Sequence, residues 1–109
     1  MFKLSVSPTY TARVVVDLPG GGSASFDAKF KRLSQSDLDA MMKRVQAEEI
    51  DDEAIVDAVL LGWDGVEDAD GTPLSFNEEN KARVLDVVPV RGTVVRAFFE
   101  SLAKAKAKN

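Results

Sequence analysis

The chain has 109 residues, 45% of them hydrophobic and 29% charged, a length and composition that fit one soluble globular domain with a single core. It contains no cysteine and no histidine, which excludes disulfides, thiolate metal sites, cysteine nucleophiles, the Ser/His/Asp triad and the commonest zinc ligand. The net charge of −4 is unevenly spread: residues 1–44 sum to +3, residues 45–80 hold twelve acids and no base, and residues 81–109 sum to +5.

That middle block would repel phosphate, so general nucleic-acid binding is not expected, and docking onto a protein of complementary charge is. The opposed blocks also allow a weak head-to-tail homo-oligomer. No apolar run approaches the roughly 20 residues that span a bilayer, and "MFKLSVSPTY" lacks the apolar core of a signal peptide. No membrane association and a cytoplasmic location are expected.

In chain order, the first third alternates with the period of half-buried strands. Phe2, Leu4 and Val6, then Tyr10, Ala12, Val14, Val16 and Leu18, then Ala24, Phe26, Ala28 and Phe30 form the apolar sets. "PGGGS" (19–23) between the two longer runs reads as a hairpin loop, its glycines supplying positive φ. No Gly-Lys-Ser/Thr follows, so a phosphate cradle is disfavoured.

Four helices follow. Ser34 is the expected N-cap of the first, with Leu38, Met41, Met42 and Val45 recurring along one face to pack on the core. Asp51 is expected to cap the second, whose apolar residues Ile55, Val56, Val59, Leu60 and Leu61 mark it as the most buried, with Gly62 as its C-terminal stop. Ser75 or Asn77 opens a third, ended by Pro89. The fourth, from "GTVV", buries Val94, Val95, Phe98, Phe99 and Leu102. The expected architecture is α+β: an amino-terminal antiparallel hairpin or three-stranded sheet packed against about four helices. Residues 1–103 form the single domain and 104–109 a frayed basic tail.

The chemistry-bearing stretch is "GWDGVEDADGTPLSF" (62–76), with four carboxylates beside the sole tryptophan. As an EF-hand loop with its sixth-position glycine at Gly71, it puts Val66 at position one and Asn77 at position twelve, so two essential oxygen ligands are missing. Glycosidase-like acid/base work needs two carboxyl groups in a cleft that separates their pKa values, and no such cleft is legible. Asp-Gly followed by Pro73 is instead tight-turn chemistry. The expected surface is therefore a partner-binding one: Trp63 as anchor with Asp64, Glu67, Asp68 and Asp70 projecting. No metal, no cofactor and no catalytic residue are expected, and the chain is not expected to be an enzyme. A small carboxylate hydrolase is the competing chemical reading.

Taken together, "FDAKFKRLSQSDLD", "LLGWDGVEDADGTPLSFNEEN" and "VRAFFESLAK" resemble the phage tail assembly chaperones of the lambda-like group, encoded beside the tape measure protein. The matching positions are Phe26, Phe30, Lys31, Arg32, Trp63, Gly65, Val66, Asp70, Gly71, Pro73, Phe76, Glu79 and Asn80, within residues 24–100. The resemblance implies a non-enzymatic chaperone of siphophage or prophage tail morphogenesis in the bacterial host cytoplasm. It would bind the tape measure protein, help recruit tail tube subunits and be absent from the mature virion. The alternative is a structural tail component, a tube or connector subunit. The family also commonly makes a longer form by frameshifting; "AKN" (107–109) is compatible with a slippery heptamer, while a soluble frayed tail is the favoured reading.

Overall fold

The computed structural model describes residues 2–4 and 6–107. Its fold is α+β, a three-stranded antiparallel sheet near the amino terminus with four helices. Strands β1 (Thr9–Asp17) and β2 (Ser23–Lys31) pair in continuous register, from Thr9 opposite Lys31 to Asp17 opposite Ser23. Gly20, Gly21 and Gly22 all take positive φ between them, as the loop composition predicts.

The first three helices each start where a short polar side chain accepts a backbone hydrogen bond. The Ser34 hydroxyl accepts from Asp37 N at 3.1 Å at the head of α1 (Gln35–Gln46). The Asp51 carboxylate accepts from Ala54 N at 3.0 Å before α2 (Asp52–Val59), and Asn77 Oδ1 from Asn80 N at 2.8 Å before α3 (Glu78–Leu85). Such caps contribute about 1 kcal/mol apiece. The last helix, α4, runs Val90–Ala107. Lys108 and Asn109, the end of the expected frayed tail and of the slippery stretch, lie outside the described residues.

The core lies between the inner face of the sheet and helices α2 and α4. Val14, Val16, Ala28 and Phe30 from the sheet meet Ile55, Val56 and Val59 of α2 and Val94 and Phe98 of α4. Phe30 and Phe98 stack edge to face at 5.3 Å, and the Tyr10 hydroxyl and Ser101 Oγ hydrogen-bond at 2.7 Å, fixing α4 along β1.

The structure corrects three local expectations. The third strand is β3 (Leu60–Asp64), which pairs with β2 and is formed by residues expected to end the second helix. Leu60 turns extended, with φ −87° and ψ 111°, so Gly62 is a strand residue and not a helix stop. It sits under Lys29, its strand partner, where a Cβ would touch the lysine stem at 3.4 Å. A register shift beside Lys29 leaves Leu61 exposed. An apolar run next to a helix satisfies either period, and here the open edge of β2 decides the outcome.

Secondly, Phe2, Leu4 and Val6 join no strand and are all exposed, because the hydrogen bonding of the hairpin begins only at Pro8. Leu18 and Ala24, beside the hairpin loop, are exposed too. Thirdly, α1 buries no residue fully. Leu38, Met41, Met42 and Val45 are half-buried, since the sheet and the α2–α4 pair already enclose the core and α1 covers only its margin.

Candidate protein-binding surface

The segment from Gly65 to Phe76 folds as a small hairpin leaving the end of β3. Leu74 N donates to Val66 O at 2.8 Å, Glu67 bridges Pro73, and Asp68 N donates to Thr72 O at 2.9 Å. Gly65 and Gly71 adopt φ of +85° and +82°, which only glycine takes without strain. At Gly65 the strand turns close over Phe26, whose Cα lies 3.7 Å from the place of a would-be Cβ.

The five predicted site residues occupy distinct places on this unit. Trp63 is half-buried at its base, edge-on to Phe26 at 6.5 Å and to Phe76 at 4.9 Å, with its indole N–H donated to Leu74 O at 2.8 Å. It joins the hairpin to the sheet, the anchoring part of its expected role. Asp64 is exposed at the end of β3, opposite Asp27 in the ladder. Glu67 and Asp70 are exposed along the hairpin.

Asp68 differs from its neighbours. It is half-buried, and its Oδ1 accepts from Asp70 N at 2.9 Å and from Thr72 N at 3.0 Å, so its carboxylate builds the turn. The structure therefore brings Glu67, Asp68 and Asp70 together on one tip but separates their tasks. Glu67 and Asp70 face water, whereas Asp68 makes the tip rigid.

The far arm is fixed as well. Asn80 Nδ2 donates to Ser75 O at 2.9 Å and Arg83 donates to Asn80 Oδ1 at 3.2 Å, tying the hairpin to α3.

The charge segregation seen along the sequence is partly undone in space. Lys81 of the basic third block reaches Asp57 at 2.8 Å, Arg91 approaches Glu53 at 3.8 Å and Arg44 approaches Glu49 at 3.8 Å. Asp51 is occupied as a cap. Among the described residues, Asp64, Glu67 and Asp70 form no ion pair, so this hairpin carries acidic charge that the fold leaves uncompensated.

Sequence reasoning missed Lys81. Its place among charged residues of α3 suggests a solvated side chain, yet only 8% of that side chain is exposed, against 61% for Asp57. It lines a cleft of mixed charge with Glu53, Leu85, Asp86 and Arg91. The signal available in sequence was Lys81's place on the side of α3 continuous with Val84 and Leu85. Among the described residues, no three acidic side chains converge as a metal-binding group. None of the described helices is long and apolar enough to cross a membrane.

Fold and surface thus define a small α+β domain that displays uncompensated acids on a braced hairpin. The chain belongs to the YdaY prophage protein family, whose model matches residues 23–108, from the first residue of β2 almost to the end. No curated protein and no solved structure matches it.

Proposed function

We propose that this prophage protein is a tail assembly chaperone, a non-enzymatic factor of the host cytoplasm that binds the tape measure protein and helps recruit tail tube subunits around it. The observation that carries the reading is the hairpin at residues 65–76, where Glu67 and Asp70, with Asp64 at the base, form no ion pair among the described residues and stand on a rigid support. Preorganised uncompensated charge favours fast, reversible docking on a basic partner surface, which suits a protein that must later give way to tube subunits. Exposed Val87 and Val88, in the turn between α3 and α4, offer apolar contact for the same partner.

The resemblance of "LLGWDGVEDADGTPLSFNEEN" to the tail chaperones supports this role, and the prophage family is compatible with it. Co-expression tests it: the tape measure protein should stay soluble with this chain and precipitate without it. Mass spectrometry of purified virions should then find the tape measure protein and not this chain. Abundant chain in the particle would instead mark a tube or connector subunit.

A further inference from the structure

Among the described residues, the sheet order β1-β2-β3 leaves one long edge of β1 without a strand. Two hydrogen bonds show which groups line it. Arg32 N donates to Pro8 O at 2.9 Å and Leu18 N to Gly22 O at 3.1 Å, one at each end of the hairpin. Antiparallel ladders alternate, so the even-numbered residues between Pro8 and Leu18 turn their backbone polar groups to β2. Thr11, Arg13, Val15 and Asp17 turn theirs outward. Their side chains lie on the outer face of the sheet, opposite the buried Val14 and Val16, and Val15 is 52% exposed there.

An open edge of this kind is a template for another strand, and folded proteins usually blunt it with proline, bulges or clustered charge. β1 has no proline, its register with β2 is unbroken, and Arg13 and Asp17 are its only charged residues. We propose that β1 pairs antiparallel with β1 of a second copy of this chain, about a two-fold axis at Val15, to make a continuous six-stranded sheet.

Self-complementarity selects that register. An axis at Val15 sets Arg13 opposite Asp17 of the second copy, twice by symmetry, and Val15 opposite Val15. An axis at Arg13 would oppose two arginines, and an axis at Val14 would set Arg13 against Val15 and Asp17 against Thr11, so that Arg13 keeps only its exposed intrachain partner Asp27, 3.7 Å away, and neither charge gains a partner across the interface. Opposite charges directly across a ladder stabilise it and like charges destabilise it. With the axis at Val15, Leu18, 36% exposed just beyond the strand, faces Ala12 of the second copy. Pro19, which lacks an N–H, ends the ladder. The contact is isologous and closes on itself, unlike a head-to-tail association of charge blocks. β1 lies outside the span matched by the family model, so this pairing rests on the chain's own geometry.

Sedimentation equilibrium of the full chain over a concentration series tests the pairing. The wild type should approach twice the chain mass, with amide exchange at Arg13, Val15 and Asp17 slowing as concentration rises. Val15→Lys, at an exposed position, should lose the dimer while keeping the wild-type circular dichroism. Arg13→Asp should lose it as well, and the Arg13→Asp/Asp17→Arg double variant should recover it. A chain that stays monomeric at the highest soluble concentration, or a dimer unaffected by Val15→Lys, overturns the proposal.

Discussion

The indole N–H of Trp63 meets the carbonyl oxygen of Leu74 at 2.8 Å, joining the end of β3 to the returning arm of the acidic hairpin. With Phe26 and Phe76 edge-on to the same ring, this bond couples the hairpin's geometry to the sheet. Trp63→Phe keeps an aromatic ring and removes the donor, so it should cost about 1–2 kcal/mol, the penalty for a part-buried carbonyl left without its partner. Urea unfolding measures this, and an unchanged midpoint would show that the bond does not brace the hairpin.

Asp68 and Asp70 should respond unequally to neutralisation. Asp68→Ala deprives the Asp70 and Thr72 amides of their acceptor and should destabilise by about 1–2 kcal/mol, with faster exchange at those two amides. Asp70→Ala leaves every observed side-chain hydrogen bond intact and should stay within about 0.5 kcal/mol of wild type. Equal effects would contradict the division of roles on the tip.

The Lys81–Asp57 pair is lopsided, with a buried cation and a largely solvated anion. Asp57→Asn leaves the buried ammonium without its counter-charge and should cost about 2–4 kcal/mol, whereas Lys81→Met keeps the volume, frees Asp57 to water and should cost less than about 1 kcal/mol. Thermal unfolding of both variants checks the order, and a larger loss for Lys81→Met would reverse the argument.

These contrasts show how far local sequence reaches. Ser34 and Asp51 were legible as caps, and Asn77 as one of two candidates beside Ser75, because each acts on an amide three residues away. The β1–β2 hairpin was legible from alternation around three glycines. β3 was not, because Leu60 and Leu61 continue the apolar pattern of α2 and Gly62 looks like its stop, while the deciding partner, β2, lies some 30 residues earlier in the chain. Within the candidate site, acidity and the tryptophan anchor could be read directly. The separate tasks of Asp68 and Asp70 could not, since "DADG" offers two equivalent carboxylates until the backbone turn selects one. The block of twelve acids also misled in part, because Lys81, Arg91 and Arg44 fold back onto it.

Direct titration of the purified chain against a soluble segment of the tape measure protein tests the central claim. The comparison is between wild type and the Asp64→Lys/Glu67→Lys/Asp70→Lys variant, with Asp68 retained so that the turn survives. The account predicts measurable wild-type binding that weakens with added salt and is lost in the variant, whose unfolding midpoint stays near wild type. Binding of equal strength by the folded variant would contradict it.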